Sequence, residues 1–188
     1  MNRTLALAAL LVLAALPASA HTLGAVGATF AHGFVHPLAG LDHVLAMVAV
    51  GLWAAQLGGR ALWLVPLSFV TLMGAGALAG LSGLALPMVE IGIAGSLLVL
   101  GLLVGFAARL PVAAGMVLVG ALAVFHGHAH GAEAPIASSF ALYALGFAVA
   151  TALLHGLGVG LAQGMKRGLL VRLGGAGVAA AGLVLLIG

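Results

Sequence analysis

The chain has no cysteine, which excludes disulfides and thiolate-held metal or cluster sites and leaves no redox compartment legible in it. Charge is almost as scarce. Six Lys or Arg and three Asp or Glu in 188 residues make 5% charged, against roughly 25% in a soluble domain, so a water-facing surface cannot be assembled from it. A nucleotide-binding motif is also missing, and any energy source is therefore separate or a gradient. The few basic residues raise the pI to about 10.8, but they are explained below by topology and imply no nucleic-acid partner.

What remains is apolar: 64% hydrophobic residues, a mean hydropathy of +1.34 and 30 glycines. The apolar runs are continuous and lack the period of two that lipid-facing strands require, so the expected fold is all-α, a polytopic helix bundle in a lipid bilayer. Residues 1–20 read as a signal peptide: Arg3, an apolar run from Leu5 to Leu16, and Ala18-Ser19-Ala20 as the cleavage site. His21 is then the mature N-terminus. Residues 21–188 form one transmembrane domain of about six spans, expected at Leu38 to Gln56, Ala61 to Gly80, Leu86 to Ala107, Leu110 to Phe125, Ile136 to Leu161 and Leu169 to Ile187. Small residues such as Gly74-Ala75-Gly76 and Gly174-Gly175 let such helices approach closely, because lipid supplies no hydrophobic drive between them. A homo-oligomer is compatible with the sequence.

Every basic residue of the mature chain lies in or beside the first, third or fifth connection: Arg60, Arg109, Lys166, Arg167 and Arg172. The positive-inside rule makes that face cytoplasmic and puts both mature termini in the periplasm, as a cleaved signal peptide also requires. The expected location is the bacterial inner membrane. Trp53, Trp63 and Arg60 read as anchors at the cytoplasmic interface.

Seven of the eight histidines and all three acids fall on the opposite, outer half. His21, His32 and His36 precede the first span, Asp42 and His43 lie just inside it, Glu90 is about one turn into the third, and His126, His128, His130 and Glu133 mark the outer end of the fourth. An intramembrane Asp costs roughly 2.5–3.5 kcal/mol on insertion scales, so Asp42 and His43 need a functional reason. Imidazole and carboxylate without thiolate suit borderline divalent ions such as Ni, Co or Zn. With Pro37 at the first helical position, His36, Gly40, His43 and Met47 share one face. His126, His130 and Glu133 share another if helix continues to Glu133, although Gly131 and Pro135 speak against that. His21, His32, Met47, His128 and His155 have bland readings as good as functional ones. The pieces His32-Gly33…His36 and His126-Gly127…His130 echo one another, and shared chemistry accounts for this better than duplication does.

Laid out this way, the chain resembles the HupE/UreJ family of bacterial nickel and cobalt permeases. His36 to Met47 matches that family's HPxxGxDHxxxM signature at every fixed position, and Phe125 to Glu133 resembles its FHGxAHGxE motif. The resemblance implies uptake of a divalent metal, Ni2+ or Co2+, as transported substrate, with no prosthetic group and a link to hydrogenase or urease maturation. It carries over His36, Asp42, His43, His130 and Glu133. His126 joins them by spacing and Glu90 by the cost of burying an acid. The rivals are an intramembrane zinc hydrolase with Asp42 or Glu133 as base, and a proton-coupled carrier of another solute in which Asp42 and His43 relay protons.

Overall fold

The computed structural model describes residues 29–134, 140–165 and 168–188. The expected signal peptide, His21, Lys166 and Arg167 lie outside the described residues. Within them there are seven helices and no strand: α1 (Phe30–Ala39), α2 (Leu41–Leu57), α3 (Ala61–Leu81), α4 (Val89–Gly105), α5 (Val112–Glu133), α6 (Phe140–Gly164) and α7 (Gly168–Ile187). Each of the six expected spans corresponds to one of α2 to α7. By length and composition α3, α5, α6 and α7 are able to cross a bilayer, and α1 with α2 makes a fifth candidate as one broken span. At 17 residues α4 is about 26 Å long, a little short of the ~30 Å hydrocarbon core.

The start of the first span differs from the sequence reading. Thr29 caps α1, its hydroxyl accepting from the His32 backbone N–H at 3.3 Å, and Pro37 is the eighth residue of α1 rather than the first of α2. Proline cannot donate to the preceding turn, and Gly40 then adopts an extended conformation (φ −100°, ψ 119°). α2 leaves at 87° to α1. His36 and His43 therefore sit on two helices, and the shared face proposed for His36, Gly40, His43 and Met47 does not exist.

α5 differs at its other end. It runs two turns past Phe125, the expected end of the span, and finishes at Glu133, so His126, His128 and His130 are helical and buried. Gly131 does not stop the helix because it is a packing residue: a Cβ there would land on the Ala77 carbonyl of α3. The same α3–α5 seam is set by Gly127 against the Met73 carbonyl, Gly76 against Val124 and Gly80 against the His128 carbonyl. Backbone contact of this kind is the attraction open to helices in lipid. Gly33 of α1 on Tyr143 of α6, Gly51 of α2 on His155 of α6, and Gly101 of α4 on Ala179 of α7 repeat it across the bundle.

One end of the bundle collects the basic residues. Trp53 Nε1 donates to Ala108 O (2.9 Å), Gln56 Nε2 to Val104 O (3.0 Å) and Arg172 Nε to Gly105 O (2.8 Å), which brings the turns carrying Arg60, Arg109 and the start of α7 together. Trp53 is fully buried there, so it is a core residue that ties α2 to the α4–α5 connection. Trp63, 54% exposed, keeps the outward position of an interfacial anchor.

Candidate metal site

Four imidazoles from three helices meet in the other half of the bundle. His126 and His130 are one turn apart on α5, His43 comes from the first turn of α2, and His36 from the last turn of α1. Ring centroids are 4.4 Å apart for His43 and His130, 5.0 Å for His43 and His126, and 4.7 Å for His36 and His130. His43 and His126 are fully buried and His130 nearly so. Apolar rings enclose them: Phe147 of α6 lies 4.5 Å from His130, Tyr143 5.7 Å from His36, and Phe69 of α3 5.8 Å from His126.

Two neighbours fix which nitrogens carry the protons. The Asp42 carboxylate can only accept, so its 2.9 Å contact with His43 Nδ1 puts the proton on Nδ1 and leaves Nε2 as a bare lone pair. Ser96 of α4 donates its single proton to Ile93 O at 2.7 Å. Its oxygen therefore accepts from His126 Nε2, also at 2.7 Å, which leaves His126 Nδ1 bare. Neither His43 Nε2 nor His126 Nδ1 has a hydrogen-bond partner. A carboxylate or hydroxyl behind an imidazole, with the opposite nitrogen unoccupied, is the arrangement that orients histidines toward a cation. The rings stand edge to face or tilted on one another, and among the described residues no three His, Asp or Glu side chains are already set around a single point.

The remaining expected residues are placed differently. Asp42 and Glu90 line one cavity of about 190 Å³, with Ile91, Ile93 and the α7 residues Leu185 and Leu186. Glu90 is exposed in the first turn of α4, not one turn inside a span, and Glu133 is exposed at the end of α5. His128 turns away, its Nε2 meeting Leu84 O at 2.6 Å and fastening the α3–α4 connection to α5. His32 is exposed, with Nδ1 3.2 Å from the Thr29 hydroxyl. Met47 is fully buried in the apolar core.

A family model described as HupE / UreJ protein matches residues 8–185. The chain belongs to the HupE/UreJ family. Protein HupE of Rhizobium leguminosarum bv. viciae is 47% identical over 178 residues, 93% of each chain. No solved structure matches. As a HupE/UreJ protein the chain is a multi-pass membrane protein of a nickel/cobalt transporter family and not an enzyme, which removes the zinc hydrolase reading. The family's two motifs supply all four clustered imidazoles, whereas Ser96, Phe69 and Phe147 lie outside them. Ser96 had one sequence signal, a lone hydroxyl within the apolar run of α4; Phe69 and Phe147 had none, since aromatic residues are ordinary in apolar helices.

Proposed function

We propose that the protein is an inner-membrane permease that takes up a divalent transition metal, Ni2+ or Co2+, through the histidine cluster from the periplasmic side. The observation that carries this is the pair of buried lone pairs without hydrogen-bond partners, His43 Nε2 and His126 Nδ1, on rings held by Asp42 and Ser96 and packed with His36 and His130. A dication gives up water for imidazole nitrogen readily, and these four donors without sulfur fit borderline ions. Asp42 and Glu90, lining one cavity, supply negative charge where a hydrated ion would first lose its shell. Glu133, exposed at the end of α5, joins them in the ligand set of His36, Asp42, His43, Glu90, His126, His130 and Glu133. Ring-on-ring packing keeps the imidazoles from forming a closed cage, which favours release over storage, as conduction requires.

Residues 1–20 act in this reading as a signal peptide, with the mature N-terminus periplasmic and the Arg60, Arg109 and Arg172 end cytoplasmic. The imported ion would serve nickel enzymes such as hydrogenase or urease. The test is initial uptake of labelled nickel, cobalt and zinc in cells deprived of their own importers. Accumulation of nickel or cobalt above the empty vector, lost on His43→Ala, is expected. No accumulation of any of the three from protein present in the membrane overturns the proposal.

A further inference from the structure

Beyond the cluster, the interior face of α6 continues Tyr143, Phe147, Thr151, His155 at helical spacing, and its last two polar groups are unused. Thr151 is fully buried, and its hydroxyl has no hydrogen-bond partner. Every other serine or threonine within the described helices, Ser68, Thr71 and Ser96, turns its hydroxyl onto a carbonyl of the preceding turn, the ordinary refuge of such a group in lipid. His155 is 2% exposed, and neither ring nitrogen has a partner. Its edge-to-face contact with Phe69 (5.1 Å, 86°) engages one side of the ring and leaves the other unexplained. Buried polar groups without partners are uncommon, and two of them one turn apart are a reason to look for a ligand.

Their position suggests which ligand. Phe69 is fully buried between His126 (5.8 Å) and His155 (5.1 Å), and Phe147, against which His130 packs, is one turn from Thr151. On its far side His155 lines a cavity of about 470 Å³ between α3 and α6, with Trp63, Pro66, Gly156 and Val159. That cavity reaches the first turn of α3, next to Arg60, the end of the bundle opposite Asp42 and Glu90. Its other lining residues are apolar and Thr151 is not among them, so the waters it admits would complete a coordination sphere on the His155 side.

We propose that Thr151 and His155 form a second, inner binding station for the transported divalent transition metal, reached from the four-histidine cluster past the ring of Phe69. This rests on the permease reading above. Two protein ligands and open water positions make the inner station weaker than the outer one, so an ion handed inward is poised to leave.

The test pairs binding with flux in the full-length protein. Equilibrium dialysis of radiolabelled Ni2+ against protein in lipid nanodiscs should find a tighter and a weaker ion per chain. His155→Leu, which fills the same space without a nitrogen, should abolish the weaker ion. In cells it should lower maximal nickel uptake about ten-fold or more while leaving KM within about two-fold, because capture precedes the step it impairs. Thr151→Val, which changes only a hydroxyl for a methyl, should weaken the second ion several-fold; it decides the matter if His155→Leu does not reach the membrane. A single binding phase in the wild type, an unchanged weaker phase in the readable variant, or wild-type maximal uptake in it overturns the inner station and leaves the permease standing. Absence of both binding and uptake in the wild type overturns the permease reading and the station with it.

Discussion

Asp42→Asn separates charge from shape at the centre of the cluster. The asparagine oxygen can accept from His43 Nδ1 as the carboxylate does at 2.9 Å, so the ring stays oriented and Nε2 stays bare. What is lost is one negative charge behind the ring. An ion on His43 Nε2 would lie across the imidazole, about 7 Å from that carboxylate, where a dication and an anion attract by about 5 kcal/mol at an effective dielectric near 20. Part of this is offset, because a carboxylate costs more to bury than an amide. Carboxylates that orient a metal-bound histidine from behind are worth about 10–100-fold in affinity, or about 1.4–2.8 kcal/mol.

The expected result is a KM for nickel raised about 10–100-fold, with membrane levels equal to or above wild type, since the neutral side chain inserts more easily. Initial uptake of labelled nickel over a concentration series, normalised to membrane protein by immunoblot, measures it. If Asp42 were merely a polar partner holding α2 in place, Asn would serve as well. Unchanged KM and maximal rate at equal membrane level would refute the assignment of His43 Nε2 as the nitrogen offered to the ion.

Two further outcomes follow from the packing. His128→Ala should lower the melting temperature of the purified protein, because removing the bond to Leu84 O leaves a carbonyl unpaired at a cost of about 1–3 kcal/mol, yet keep the nickel KM within about two-fold; His126→Ala should raise that KM at least about ten-fold. A rise in KM for His128→Ala equal to that for His126→Ala would place His128 in the cluster against its geometry. Gly127→Ala would put a Cβ on the Met73 carbonyl, backbone that cannot turn aside, and should cost about 1–3 kcal/mol by forcing α3 and α5 apart, seen as reduced thermal stability and uptake. Gly74→Ala, on the same α3 but with nothing within 4 Å of the new Cβ, is the control. Equal stability of the two variants would refute the seam.

Composition and spacing made the all-helical bundle legible, because they are averages over many residues and survive local errors. The one-sided bases did too: Arg60, Arg109 and Arg172 gather at one end through contacts made by Trp53, Gln56 and Arg172 itself. The break at Gly40 was not legible. By local rules Pro37 fits the first turn of α2 better than the last turn of α1, and the opposite outcome goes with a tertiary contact, Gly33 seating α1 across the Tyr143 carbonyl of α6. The continuation of α5 to Glu133 was not legible for a similar reason, since Gly131 signals a stop in isolation and a close approach to Ala77 in the bundle. Trp53 was misplaced because an indole serves an interface and a core alike, and only the carbonyl of Ala108, 55 positions away, distinguishes them. Glu90 was assigned by the cost of burying an acid, a cost that vanishes once it is seen to be exposed, whereas Glu133 was assigned by its place in the second motif and is exposed at the end of α5.

The echo between the two motifs finds its physical meaning in these seams. In His32-Gly33…His36 the glycine lies on the Tyr143 carbonyl, and in His126-Gly127…His130 it lies on the Met73 carbonyl. In each, the histidine three residues beyond the glycine enters the cluster, and His36 and His130 meet there at 4.7 Å. The glycine fixes how near the helix stands to its neighbour, and i, i+3 spacing puts the imidazole on the same side about one turn away. Each pair thus couples helix placement to ligand placement in four residues. The histidine before each glycine is then free to differ in role, and it does: His126 is buried against Ser96 and His43, while His32 is exposed beside Thr29. Two separate helices arrive at the same short pattern because lipid demands the glycine and the cluster demands the imidazole.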